Sequence, residues 1–232
     1  MIIAIDGPAA SGKSTTARLV AQRLQYLHID TGAMYRAMAL KVLRSGIHPD
    51  DREAVARLAR TTTVRLVPAE PGSQKVRVEL DGAAVTDEIR LPEVTGIVSP
   101  VSTIADVRAL MVKEQRAMGR EGGIVLEGRD IGTVVFPQAE LKVFMKAEPR
   151  ERARRRGMEL KEKGLDVPLE SLEADIIERD RIDSQRALSP LRRADDAVEV
   201  DTTDMTIEQQ VEFIVRKAEE RIARSKDGKT EA

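Results

Sequence analysis

Residues 2–15 read IIAIDGPAASGKST, an apolar run that ends on a carboxylate and passes directly into the pattern G-x-x-x-x-G-K-[ST]. Ile2–Asp6 is short, apolar and stopped by Gly-Pro, as a buried parallel strand is. After it the backbone must wrap closely round phosphate oxygens, in conformations that a Cβ would obstruct, while successive N–H groups and the N-terminus of the next helix face the anion. Gly7, Pro8, Ala9, Ala10, Ser11, Gly12, Lys13, Ser14 and Thr15 are therefore the expected cradle for ATP. Lys13 is expected to reach the β- and γ-phosphates, and the Ser14 hydroxyl is expected on Mg²⁺.

Further along, short apolar runs at Tyr26–Asp30, Ile124–Glu127, Leu141–Met145 and Ala197–Asp201 repeat the strand pattern. Helical periodicity lies between them, clearest where Ile207, Val211, Ile214, Val215, Ala218 and Ile222 share one face. This alternation predicts an α/β fold of the P-loop NTPase type: a doubly wound, parallel, five-stranded sheet flanked by helices. Two stretches break the rhythm. Val64, Leu66, Val76, Val78, Leu80 and Val85 alternate with polar residues around Pro71-Gly72 and Asp81-Gly82, which predicts a small antiparallel β insert over residues 61–93. Residues 149–186 are charged and helical in pattern, with a break at Lys163-Gly164 and a new helix from Pro168, and read as a mobile helical lid. The core is then 1–60, 94–148 and 187–226, all of one domain, and 227–232 is a polar, disordered tail.

The 232 residues, 41% hydrophobic, suffice for one core with appendages. The 38 Lys and Arg almost balance 39 Asp and Glu, so no overall field draws in nucleic acid or anionic lipid, and 2% aromatic content offers no stacking platform. The absence of cysteine excludes disulfides, thiolate nucleophiles and Cys-ligated zinc. His28 and His48 fit no metal spacing and read as structural. The first residues lack a basic region and a cleavage site, and no apolar run approaches membrane-spanning length. A cytoplasmic monomer is expected.

A phosphate loop alone leaves the reaction open. GTPases require N-K-x-D for guanine, which this chain lacks, and AAA-type machines require a second, helical domain. A small-molecule kinase must instead carry arginines aimed at two polyanions. Arg152, Arg155 and Arg156 are spaced to share a helix face and to clamp one phosphate region; Arg179, Asp183 and Arg186 form a second stripe. Spacing alone leaves a solvated, salt-bridged helix surface as the alternative. Asp30-Thr31-Gly32-Ala33-Met34-Tyr35-Arg36 and Glu127-Gly128-Arg129-Asp130 each leave the end of a strand, where open α/β sheets gather ligands. Thr31 is the expected helix cap there, though each segment alone also reads as a plain cap and turn.

Together D-T-G-A-M-Y-R, E-G-R-D-I-G-T-V-V-F-P at Glu127–Pro137 and E-R-D-x-x-D-x-x-R at Glu178–Arg186 make the chain resemble the bacterial cytidylate kinases over nearly its whole length. The β-rich insert belongs to that resemblance, and the L-D-G-F-P-R of adenylate kinases is missing. The resemblance implies transfer of the γ-phosphoryl group of Mg·ATP to CMP and dCMP. It implies that Ser99, Arg108 and Asp130 contact the cytosine, that Arg36, Arg129 and Arg179 hold the acceptor phosphate beside Thr31 and Tyr35, and that Asp183 and Arg186 reach the pentose and phosphate. Lys13, Arg129, Arg152, Arg156 and Arg179 would carry catalysis, and Arg155 would join the ATP site. Thr31 and Glu127 stand where many relatives show Ser and Asp; both keep the functional group. A kinase for UMP or AMP, or an ATP-binding module without transfer, are the competing readings.

Overall fold

The computed structural model describes residues 1–68, 76–162 and 164–227. Five parallel strands, β1 (Ile2–Asp6), β2 (Leu27–Asp30), β6 (Ile124–Gly128), β7 (Leu141–Lys146) and β8 (Val198–Asp201), lie in the order β2-β6-β1-β7-β8. Alternation within each strand divides the interior in two. Ile3 and Ile5 of β1, with Leu141, Val143 and Met145 of β7, pack against α1 (Lys13–Leu24) and α8 (Ile207–Asp227) through Ala17, Val20, Val211, Ile214 and Ala218. Ala4, Leu126 and Ile29 point the other way, onto α2 (Thr31–Arg44), α4 (Pro92–Ser102) and α5 (Ala105–Met118). Helices on both faces make the sheet doubly wound, as the strand and helix periods require. Each fully buried aliphatic side chain of these layers contributes roughly 1.5–3 kcal/mol.

The insert is a three-stranded antiparallel sheet in the order β3-β4-β5, comprising β3 (Val64–Pro68), β4 (Val76–Leu80) and β5 (Ala83–Ala84). Asp81 and Gly82 both take positive φ, 50° and 83°, the requirement of a two-residue hairpin turn whose twist matches its strands. The expected turn at Pro71-Gly72 lies outside the described residues. Leu66, Val78, Leu80 and Val85 share one apolar cluster with Ala37, Met38 and Val55 of α2 and α3 (Arg52–Thr61). The insert thus extends the main core and does not form one of its own.

Between β7 and β8 stand α6 (Pro149–Glu162) and α7 (Leu169–Gln185), packed on each other through Ala153, Leu172 and Ile176. Gly164, at φ 77°, donates its N–H to Lys161 O while Leu165 N reaches Leu160 O, closing α6 with a left-handed cap. Lys163 falls outside the described residues. α8 continues through Asp227, so the first residue of the expected tail is helical; residues 228–232 are not described. Among the described residues no single helix is long and apolar enough to cross a membrane.

Strand register decides where the site is. Asp30 aligns with Glu127, Asp6 with Gly128 and with Phe144, and Lys146 with Asp201, so the carboxyl ends of all five strands reach one edge. The loops leaving that edge carry the phosphate pattern and both strand-end motifs.

Candidate active site

Residues 7–12 run from β1 to α1 with their backbone folded tightly against β7. A Cβ on Gly7 would stand 2.1 Å from Met145 O, so only glycine fits. Lys13 is buried at the start of α1 and donates from Nζ to Pro8 O at 2.6 Å, with Ser11 Oγ at 3.4 Å. Burial, reinforced by the positive charges of Arg129 and Arg179, lowers its pKa to about 7. Ser14 Oγ donates to Glu127 Oε2 at 2.5 Å, and the other carboxylate oxygen of Glu127 lies 3.1 Å from His28 Nε2. Burial opposes ionisation of Glu127, but hydrogen bonds from His28 and Ser14 and the charge of Lys13 outweigh it and hold this carboxyl below the usual range. A serine hydroxyl beside an ionised carboxylate is a hard-oxygen donor set that suits Mg²⁺ better than a soft metal.

The second half of the cleft is built of arginines. β6 ends at Gly128, and Arg129 and Asp130 follow at once. Arg129 Nε donates to Asp183 Oδ2 on α7 at 2.8 Å, and Arg186 Nη1 stands 3.8 Å from the same carboxyl group. Asp130, also buried, is hydrogen-bonded by Arg108 Nη2 and lies 3.6 Å from Arg186 Nη2. The Arg108 guanidinium lies over the Tyr35 ring, 5.6 Å from its centroid. Arg36 projects from α2 to within 3.5 Å of Asp30. Arg179 is so enclosed that burial, then repulsion from Arg129, lowers its pKa to about 10, with Arg36 and Arg156 adding to the effect. Five guanidiniums, of Arg36, Arg108, Arg129, Arg179 and Arg186, thus face three carboxylates, of Asp30, Asp130 and Asp183. Arg36 Nη1, Arg108 Nε, Arg179 Nε and Arg186 Nη2 are buried without a hydrogen-bond acceptor among the described residues.

Most of the expected residues therefore meet in one cleft, and its two halves adjoin because Glu127, which holds Ser14 from the strand beside β1, lies two residues before Arg129. Ser99 sits in the last turn of α4, its carbonyl accepting from Ser102 Oγ at 2.8 Å, while Ser102 O in turn receives Arg108 Nη1 at 3.4 Å. Thr31 is not the cap of α2. Asp30 is, accepting from Ala33 N at 3.1 Å, because the last strand residue already has the extended backbone a cap needs. The Thr31 hydroxyl turns instead to Glu127 O at 2.7 Å.

Arg152, Arg155 and Arg156 share a helix face as their spacing predicts, yet their guanidiniums diverge. Arg152 donates to Ala147 O, to Ala9 O of the phosphate loop at 3.2 Å and to Asp180 Oδ2 at 2.6 Å. Arg155 reaches Thr202 O at 2.5 Å and Thr203 O at 3.2 Å, and the half-exposed Arg156 pairs with Glu159 at 3.0 Å. Common helical spacing fixes where a side chain starts; the nearest acceptor fixes where a long one ends.

Two residues of the site are not among those the sequence assigns to it: Asp6 is read there only as the end of a strand, and His28 as structural. Asp6 is buried at the end of β1 and accepts from Ile131 N at 2.8 Å and Gly132 N at 2.7 Å, pinning the π-type turn Ile131–Val135 that follows Asp130. Burial raises its pKa to about 6 against the pull of those N–H groups. His28 is the other. The available signals were a carboxylate closing an apolar strand and an imidazole inside one.

Comparison with known proteins bears on the same residues. The family model described as Cytidylate kinase matches residues 3–220. A cytidylate kinase of Desulforamulus reducens is 53% identical over 213 residues, covering 92% of this chain and 94% of that protein. A bifunctional pantoate ligase/cytidylate kinase of Synechococcus sp. (strain CC9311) is 52% identical over 214 residues, but the match covers only 43% of that longer protein. Among solved structures, an uncharacterized protein from Eubacterium ventriosum has a TM-score of 0.50 at 11% identity, covering 95% of this chain and 98% of that one, a likeness of fold alone.

Proposed function

The chain belongs to the cytidylate kinase family, and from that premise we propose that the cleft moves the γ-phosphoryl group of ATP onto CMP and dCMP, giving ADP with CDP or dCDP. The observation that carries this reading is the set of buried guanidinium nitrogens without acceptors on Arg36, Arg108, Arg179 and Arg186. A buried N–H left without an acceptor is costly even where its guanidinium is ion-paired, and a phosphate monoester, with two negative charges and several acceptor oxygens, is the ligand that relieves it.

In this reading the phosphates of ATP lie on the backbone of residues 7–15, with Lys13 moving from Pro8 O to the β- and γ-phosphates. A magnesium ion, when bound, neutralises phosphate charge, and the Ser14 hydroxyl with the Glu127 carboxylate would hold it. Arg36, Arg129 and Arg179 hold the phosphate of CMP, while Asp130, Arg108 and Ser99 meet the base. An oxygen of the acceptor phosphate attacks the γ-phosphorus in line as the bond to the β–γ bridging oxygen breaks. No general base is needed, because that phosphate is largely ionised near neutral pH; alignment and charge do the work. Arg152, Arg155 and Arg156 complete the positive field as α6 and α7 close over the cleft and exclude water. Asp130 accepts from the C4 amino group of cytosine, and meeting the C4 carbonyl of uracil instead costs about 1–3 kcal/mol. A single copy of the chain working on free nucleotides in the cytoplasm, apart from nucleic acid and membrane, completes the reading.

The test is ADP release from Mg·ATP with CMP, dCMP, UMP, AMP and dTMP in turn, beside a Lys13→Ala control. Turnover with CMP and dCMP that the control abolishes is expected. Turnover restricted to another monophosphate would remove Ser99, Arg108 and Asp130 as cytosine readers; ATP binding without acceptor-dependent turnover would leave only a binding module.

A further inference from the structure

His28 lies on β2, one strand removed from the phosphate loop, and makes no direct contact with it in the hydrogen-bond network. Its Nε2 stands 3.1 Å from Glu127 Oε1, and Glu127 Oε2 receives the Ser14 hydroxyl at 2.5 Å. We infer that His28 is a positioning residue for the donor-side cation, acting through Glu127 on Ser14. The carboxylate oxygen accepts in this contact, so the nitrogen facing it carries the proton, which makes Nε2 the donor. Each carboxylate oxygen then has one donor, and the side chain is held from both ends. Ser14 spends its only proton on Glu127, so the lone pairs of its oxygen remain for a cation.

Without the imidazole, Oε1 would be buried with no donor of its own, and Glu127, held from one end only, would loosen its hold on Ser14. His28 is thus the residue that keeps the carboxylate serving Ser14.

This inference rests on the reading of residues 7–15 as a Mg·nucleotide site, and calorimetry separates the two. The full chain is titrated with ADP in Mg²⁺ and with ADP in EDTA, for wild type, His28→Phe and His28→Gln. The phenylalanine variant is expected to weaken Mg·ADP about tenfold while leaving metal-free ADP nearly unchanged, the size typical of an outer-shell partner of a metal ligand. The glutamine variant, whose amide can donate in place of Nε2–H, is expected to recover most of the loss. In turnover the same change should fall on KM for Mg·ATP and leave KM for CMP alone. Equal weakening in Mg²⁺ and EDTA, or a glutamine variant as poor as phenylalanine, would make His28 a space-filling residue and overturn the inference. Should His28→Phe fail to fold in a thermal scan, His28→Leu takes its place in the same comparison. A wild type that binds ADP in neither condition would overturn the kinase reading, and this one with it.

Discussion

Arg129 Nε meets Asp183 Oδ2 at 2.8 Å, joining the chain that leaves β6 to helix α7 through one ion pair inside the cleft. Asp183 also answers Arg186, so removing it leaves Arg129 without its carboxylate and Arg186 with Asp130 alone. Asp183→Ala is expected to cost about 3 kcal/mol of stability in urea denaturation and to raise KM for CMP more than KM for ATP. The double variant with Arg129→Ala should lose less than the sum of the single losses. Additive losses would mean that the pair is not coupled.

Lys13 provides a proton signature. With a pKa near 7 it is mostly neutral at pH 8, and a phosphate beside it favours the charged form and raises that pKa. Binding then draws a proton from solvent between the two pKa values, and none below the lower one. Calorimetric titration with nucleotide in buffers of different ionisation enthalpy should show uptake of close to one proton at pH 8 and almost none at pH 6. Buffer-independent heats at pH 8 would contradict it.

Asp6 makes stability depend on pH in a direction opposite to that of an ordinary paired carboxylate. Its folded pKa of about 6 lies above the usual 3.8, so the folded state holds a proton that the unfolded chain has already released between these values. Stability from this group is complete below pH 3.8 and lost as pH rises through 6, by about 3 kcal/mol at 1.36 kcal/mol per pH unit. Asp6→Asn removes the dependence. The stability of the variant relative to wild type should therefore improve between pH 4 and pH 7, whatever constant cost the lost acceptor imposes. A pH-independent difference would show that Asp6 ionises normally.

Gly7→Ala is expected to abolish both ATP binding and the native thermal transition. The added carbon would stand 2.1 Å from a main-chain oxygen of the central sheet, which no side-chain rotation relieves. A folded variant with normal affinity would show that the loop and β7 can separate.

The sheet was legible because burial on both faces leaves parallel strands almost wholly apolar. The expected limits differ from the observed ones by a single residue at Tyr26, Glu127, Met145 and Ala197. Helix faces were legible for the same reason, as Ile214 and Ala218 show. What periodicity does not carry is the destination of a long polar side chain. Arg152 and Arg155 start one turn apart and end on Ala9 and Thr202, residues that the fold alone brings within reach. Asp6 finds its donors at residues 131 and 132, so nothing near it in the chain announces the bond. Of the arginine-lined cleft, the motifs placed the arginines, but the excess of guanidiniums over carboxylates appears only when α2, α5, β6 and α7 are brought together.

That excess ties folding to supply. A protein whose interior holds Arg36, Arg108, Arg179 and Arg186 with nitrogens lacking acceptors is less stable than its sheet and helices would otherwise make it. Any ligand that binds only the folded form adds stability by mass action, about 2.7 kcal/mol when present at a hundred times its dissociation constant. The lifetime of the folded chain would then follow the concentration of the monophosphates it consumes, and starvation for substrate would be felt first as faster unfolding.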